Sequence, residues 1–293
     1  MNSPTAYDVV IVGAGPTACS AGLFLARAGV TTLIIGDPAQ SGLMDAAEVW
    51  NYPGFPVGIT GKDLLTQMRE SAIKQGAIFL QAEVTHTEKK AGGFLIRTAT
   101  QEEFLAQRLV LAHGANFIKT NLPGEQELVG KGVHYCALCD GPLYKGKEVV
   151  VLGNGNMAAE EALQLVGMGA KVKKIVTQAT AAHMTPAYQA ALAEKNIPVE
   201  IGRMTEITLD HTPLFIAIGV ASSVTFAQKL GLEMNGSFLK ADDRGRTNVA
   251  GVWVAGLAKG GVNQVAKSVG EGAVAAVDII KELRGLPQYL DHT

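Results

Sequence analysis

The chain has 293 residues, 47% of them hydrophobic and 18% charged, with a formal net charge of −2 and a pI near 6.3. That length exceeds one ordinary core and suits two α/β domains, and the composition is that of a folded globular chain rather than a disordered one. It excludes the basic field needed for nucleic acid or an anionic membrane, and no apolar run reaches the roughly 18 residues of a membrane-spanning helix.

The N-terminus runs from Met1 to Asp8 into an apolar strand without a charged-then-apolar leader, which leads us to expect a cytoplasmic protein. Next comes Asp8-Val-Val-Ile-Val-Gly13-Ala-Gly15-Pro16-Thr-Ala18, a strand followed by a Gly-x-Gly-x-x-Ala turn. Beyond it lie a helical stretch holding Cys19 among small apolar residues and a second apolar strand ending at Asp37. Glycines at these positions let the chain turn tightly and approach a pyrophosphate. The small third residue lets helix pack on strand, and the helix N-terminus faces the anion.

Further along, Cys136-Ala137-Leu138-Cys139 has the spacing of a redox pair, and also of half a zinc site. Zinc needs further ligands. The only other cysteine is Cys19, read as a small buried hydrophobe, and the six histidines show no ligand spacing, so no metal site is expected. Two buried, unpaired thiols are the remaining alternative. Immediately after, Glu148 to Thr177 repeats Asp8 to Asp37 at an offset of 140 residues: Gly13 maps to Gly153, Gly15 to Gly155 and Ala18 to Ala158. One such turn is weak evidence of a nucleotide site, whereas two in one register, each within a strand–helix–strand pattern, are strong.

The copies differ where ligand choice is made. An acid about 20 residues on normally holds a ribose hydroxyl, and a nearby Arg accommodates a 2′-phosphate. The first copy has Asp37, suited to an adenosine ribose. In the second, the ungapped alignment puts Thr177 there, followed by Gln178, Ala179 and Thr180, with no Arg before Arg203. The second site does not read as one built for NADPH.

Taken together, the order of these motifs resembles the low-molecular-weight thioredoxin reductase family over nearly the whole chain. The resemblance is carried by the N-terminal motif, Trp50-Asn51-Tyr52-Pro53-Gly54-Phe55-Pro56, and Ala112-His113-Gly114-Ala115. It continues through Gly132-Val-His-Tyr-Cys136-Ala-Leu-Cys139-Asp140-Gly141, Thr247 to Gly256 and the helix from Gln264 onward. It implies an α/β fold of two Rossmann-like domains, the second inserted into the first: a split FAD domain at 1–117 and 242–293, and a central redox domain at 118–241. FAD would be held by Gly13, Gly15, Pro16, Ala18, Asp37, Asn51, Val84, Gly114, Gly256 and Gln264, with Gly153, Gly155 and Ala158 forming the second cradle. By the same resemblance Cys139 takes the electron pair from the flavin, Cys136 attacks the partner's disulfide and Asp140 protonates the departing thiolate. Asp140 as a turn or capping residue is the plain alternative, and His113 either lies near the flavin or is structural. Family members are homodimers that act on thioredoxin-like proteins.

Three departures qualify the resemblance. The family's basic cluster for the 2′-phosphate is missing at Thr177 to Thr180. The central domain is shortened between Met204 and Leu214. The family's Ala-Gly-Asp reads Ala255-Gly256-Leu257. The first two resemble relatives that work without pyridine nucleotide. We therefore expect a flavin-linked disulfide oxidoreductase whose electrons come from ferredoxin or from a second FAD in the central domain. An NADPH-dependent reductase with atypical contacts, or a redox sensor without turnover, are the alternatives.

Overall fold

Val9-Val10-Ile11-Val12 is an uninterrupted apolar run, the pattern of a parallel strand covered on both faces, and such strands organise both halves of the chain. The computed structural model describes residues 4–207, 212–221 and 229–286. Its contacts divide into two units, one from Met1–Glu48, Tyr52–Asn116 and Ser222–Thr293, the other from Val49–Asn51 and Phe117–Ala221. Each is an α/β unit, the fold class expected, with a mixed sheet in the first and a parallel sheet in the second. No helix among the described residues is long and apolar enough to cross a membrane.

In the first unit the sheet order is Ile78–Leu80, Thr32–Ile35, Thr5–Val12, Glu103–Leu111, Gly93–Thr98, Val84–Lys90. The strand Glu103–Leu111 has two partners beyond Thr5–Val12. Its first half pairs antiparallel with Gly93–Thr98, and Leu109 to Leu111 pair parallel with Val252–Val254. Side-chain alternation splits the core. Val10 and Val12 face a cluster with Leu33, Ile35, Leu109 and Leu111, while Val9 and Ile11 face the helices through Leu25, Ala275 and Ile279. Leu232 and Leu239 also pack in the first of these clusters. Helix Val265–Leu283 lies against helix Pro16–Arg27 at Gly272, where a Cβ would sit 2.4 Å from the Thr17 carbonyl oxygen.

The second unit is a five-stranded parallel sheet in the order Val199–Ile201, Lys171–Thr177, Glu148–Leu152, Leu214–Ile216, Val133–His134. Helix Asn156–Gly167 buries Ala158, Ala159, Ala162 and Leu165 against it. The repeat seen in the sequence is a repeat of hydrogen bonds. Gly13 N donates to Ile35 O at 2.8 Å as Gly153 N donates to Val176 O at 2.9 Å, and Ala112 N donates to Val12 O as Ala217 N donates to Leu152 O.

The repeat is not gapless, however. Val12 pairs with Ile35, but Leu152 pairs with Val176, because the register shifts by one residue between Val172 and Lys174. A β-bulge of this kind inserts one extra residue into a strand. The residue in the place of Asp37 is therefore Gln178, and the alignment of Thr177 with Asp37 is corrected. Neither position carries an acid or a base, so the conclusion drawn about NADPH is unchanged.

Candidate active site and nucleotide cradles

The first cradle is shaped by glycines that nothing else can replace. Gly13 has φ +127°, and a Cβ there would lie 2.3 Å from the Ala112 carbonyl oxygen; a Cβ on Gly36 would lie 2.7 Å from the Gly13 carbonyl carbon. Helix Pro16–Arg27 starts just after, with Gly15 as its N-cap, Pro16 in its first turn and no side-chain cap. Its first-turn N–H groups are those that hold an anion at a helix start. Ala18 is fully buried. Asp37 lies two residues beyond strand Thr32–Ile35 and caps the 3-10 turn Pro38–Gln40, and its Oδ1 accepts from Ala39 N and from Gln81 Nε2, both at 3.0 Å. These features fit the pyrophosphate and ribose of a flavin dinucleotide.

Gly256 joins this group. It has φ +72°, and a Cβ on it would lie 2.2 Å from Thr17 Oγ1, at the start of the same helix. Where the family pattern has Asp, Leu257 is the second residue of a 3-10 turn, Gly256–Lys259, which other residues hold in place. Glu271 Oε2 accepts from Gly256 N at 2.8 Å. Lys267 Nζ donates to Gly256 O at 3.0 Å and to Gly260 O, and lies 3.1 Å from Glu271. Gln264 is the N-cap of helix Val265–Leu283. Gly114, at φ +69°, follows the strand Glu103–Leu111 by three residues. His113 has shielded ring nitrogens, and burial pushes its pKa down to about 4, so it is neutral at physiological pH. Val84 starts its strand with its side chain in the apolar core. Asn51 is exposed and is grouped with the second unit. Cys19 is buried, its thiol pushed up to about 12 by desolvation, and is chemically silent.

The second cradle repeats the geometry. A Cβ on Gly153 would lie 2.4 Å from the Ala217 carbonyl oxygen and 2.6 Å from the Cβ of Ala158. Gly155 is the N-cap of helix Asn156–Gly167. Thr177 is fully buried and donates to Asn154 Oδ1 at 2.9 Å, so it braces the turn instead of facing a ligand.

Cys136 and Cys139 form a disulfide with Cα atoms 5.3 Å apart. Cys136 is the N-cap of a single helical turn, Ala137–Asp140, that contains Cys139, and Cys139 N donates to Cys136 Sγ at 3.2 Å. One turn carries little macrodipole, so this N–H is the more direct stabiliser of a thiolate, and it acts on Cys136. Cys139 is exposed and Cys136 partly buried.

Asp140 makes no capping bond to the 3-10 turn that follows it. Its Oδ2 instead lies 2.9 Å from His134 Nδ1. On the other side, Glu161 of helix Asn156–Gly167 accepts from Ala137 N, and desolvation pushes its carboxyl up to about 7. Sequence reading missed His134 and Glu161. A signal for Glu161 was present, since it lies three residues after Ala158 and four before Leu165, on the buried stripe of an amphipathic helix.

Comparison with known proteins agrees with this geometry. The profile of the pyridine nucleotide-disulphide oxidoreductase family matches residues 7–272. The chain is 32% identical over 315 residues to the thioredoxin reductase of Bacillus subtilis, covering 99% of each chain. In structure it is similar to the thioredoxin reductase of Streptococcus pyogenes, with a TM-score of 0.89, 25% identity and coverage of 97% of this chain and 100% of that one. It is also similar to the atypical thioredoxin reductase TRi of Desulfovibrio vulgaris, with a TM-score of 0.55, 36% identity and coverage of 96% and 99%. The chain belongs to the pyridine nucleotide-disulphide oxidoreductase family and is a flavin-dependent disulfide oxidoreductase of the thioredoxin reductase type.

Proposed function

We propose that this reductase receives electrons from a donor other than NADPH, either a ferredoxin-type protein or a second FAD in the Gly153-x-Gly155-x-x-Ala158 cradle, and passes them through Cys136 and Cys139 to a thioredoxin-like protein. The observation that carries the reading is the absence of a Lys or Arg from the stretch where a 2′-phosphate would bind. Gln178 stands in the place of Asp37, and no Lys or Arg follows until Lys195. The thioredoxin-like partner is supported by relatives named thioredoxin reductase, one of them fused to thioredoxin. The reductase works as a homodimer in the cytoplasm, where an unpaired cysteine such as Cys19 is ordinary.

FAD, held by the first cradle, supplies a two-electron store. The protein's own part is thiol–disulfide exchange. From the dithiol state, the Cys136 thiolate attacks one sulfur of the partner's disulfide, and the other sulfur leaves with the bonding electrons. Asp140, bonded in sequence to Cys139, gives that thiolate a proton. Cys139 then attacks Cys136 Sγ, re-forming the internal disulfide and releasing the second partner thiol.

An anaerobic titration of the FAD-loaded protein with NADPH tests the donor. We expect the flavin absorption to persist with NADPH and to bleach with dithionite or photoreduced ferredoxin. Prompt bleaching by NADPH would return the protein to the ordinary reductases. Incubation with excess FAD separates the two donor routes, because uptake of a second equivalent per chain is expected only if the central cradle holds flavin.

A further inference from the structure

We propose that His134 and Tyr144 form a proton relay behind Asp140, so that the proton given to a departing thiolate is drawn from the His134 imidazole. The inference rests on the reading of Cys136 and Cys139 as the exchanging pair and of Asp140 as its acid. His134 would be a positioning and relay residue that acts through Asp140.

The three groups are linked end to end. His134 Nδ1 lies 2.9 Å from Asp140 Oδ2, and His134 Nε2 lies 2.6 Å from the Tyr144 hydroxyl. The imidazole side chain is 3% exposed, whereas that of Asp140 is 25% exposed, and Tyr144 is partly exposed. Water therefore reaches the two ends of the chain but not its middle. The ring is fixed in place. It stacks on Phe215 with centroids 5.0 Å apart, and His134 and Phe215 are register partners in the sheet. A histidine kept for packing needs one partner. This one has both nitrogens bonded, one to a carboxylate adjacent to a redox sulfur and the other to a hydroxyl nearer solvent. Imidazole accepts a proton at one nitrogen while giving one from the other, which suits it to this position.

The charged and titratable groups around the relay are few. Glu161, from helix Asn156–Gly167, contacts the Cys136–Asp140 turn through Ala137 N and is electrostatically coupled to Asp140. Lys147 Nζ lies 5.5 Å from the Tyr144 ring centre. Burial first, and the Asp140 charge second, raise the Tyr144 pKa, which keeps its hydroxyl protonated.

The proton balance closes. The primed relay is an Asp140 carboxylate that accepts from the Nδ1–H of His134, whose Nε2 accepts from the Tyr144 hydroxyl. As Cys136 Sγ bonds to the partner's first sulfur, the second sulfur departs with the electron pair of the broken S–S bond. It takes a proton through Asp140, while the Nδ1 proton of His134 moves to the carboxylate and the Tyr144 hydroxyl proton moves to Nε2. This leaves a neutral thiol, an imidazole protonated at Nε2 and a carboxylate again. The Tyr144 oxygen is then reprotonated from solvent.

The test uses two disulfides that differ in their need for a proton. The holoenzyme is reduced with dithionite, freed of excess reductant anaerobically, and mixed with either 2-hydroxyethyl disulfide or 5,5′-dithiobis(2-nitrobenzoate). The first releases a basic aliphatic thiolate that needs protonation, and the second an aromatic thiolate that does not. We expect His134→Gln to slow the aliphatic reaction about 100-fold, the lower end of the range for loss of general-acid assistance, and to change the aromatic reaction by less than about twofold. Tyr144→Phe removes only a hydroxyl and should show the same selectivity to a smaller degree, so it decides the matter if His134→Gln does not fold. The relay is overturned if the variants match the parent on the aliphatic disulfide, or slow both disulfides equally. A parent dithiol that reduces neither disulfide would overturn the exchange reading itself, and the relay with it.

Discussion

Glu161 offers a measurement of how strongly the disulfide turn is desolvated. Its carboxyl accepts the Ala137 N–H that opens that turn, and burial raises its pKa from an ordinary 4.5 to about 7. A folded pKa above the unfolded one means that the folded state holds its proton longer. The stability that the neutral carboxyl contributes is complete below pH 4.5 and is lost as pH rises through about 7. At about 1.4 kcal/mol per unit, with some discount for partial exposure, the loss between pH 5 and pH 8 comes to about 2–3 kcal/mol. Glu161→Gln keeps an oxygen for Ala137 N and cannot ionise. We therefore expect the variant to gain about 2–3 kcal/mol relative to the parent on going from pH 5 to pH 8. Urea unfolding of the oxidised proteins, followed by circular dichroism at both pH values, gives the number directly. Taking the difference between the proteins cancels every group they share. A parent–variant difference that is the same at pH 5 and pH 8 would refute the raised pKa and the burial argument behind it.

Other outcomes follow from single contacts. Cys139→Ser should trap a covalent adduct between Cys136 and thioredoxin, visible by intact mass. If Cys136→Ser is the variant that traps, the exposed Cys139 is the attacking thiol and the roles reverse. Gly13→Ala places a Cβ 2.3 Å from the Ala112 carbonyl at a φ of +127°, so the purified variant should lose its flavin absorption on desalting. Gly153→Ala, with a clash of 2.4 Å in the other unit, should keep the flavin of the first cradle and lose at most a second equivalent; complete loss of flavin from Gly153→Ala with retention in Gly13→Ala would show that the first cradle is not the FAD site. Asp278 is 5% exposed and accepts from Arg246 Nε at 2.5 Å and Trp253 Nε1 at 2.9 Å. Asp278→Ala, which leaves the Trp253 indole unpaired and Arg246 with Glu282 at 3.6 Å, should cost about 2 kcal/mol in urea unfolding, and a loss under about 1 kcal/mol would contradict its place in the core.

Much of the protein is determined by the sequence alone, because the features concerned are local. A Gly-x-Gly-x-x-Ala turn after an apolar strand is legible because only glycine fits where a Cβ would strike backbone, as at Gly13 against Ala112 and Gly153 against Ala217. Cys136 and Cys139 are legible because a two-residue spacing brings two sulfurs within bonding reach. The fold class follows from the repeat of one strand–helix–strand pattern. Tertiary structure decided the rest. The bulge at Lys173, which moves the ligand-selecting position from Thr177 to Gln178, is a matter of strand pairing and leaves no mark in the residue types. Whether Asp140 caps a turn or meets an imidazole depends on the partnering of Val133–His134 with Leu214–Ile216, some 80 residues further along the chain. Glu161 acquires its raised pKa from burial in the folded state, against the lowering effect of the Ala137 N–H it meets 24 residues earlier in the chain, and Lys267 and Glu271 hold the Gly256 loop only because a helix end packs there. The physical reason is the same in each case. Steric and covalent demands act between neighbours in the chain, whereas burial, charge and hydrogen-bond partnership arise from segments that meet only in the folded state.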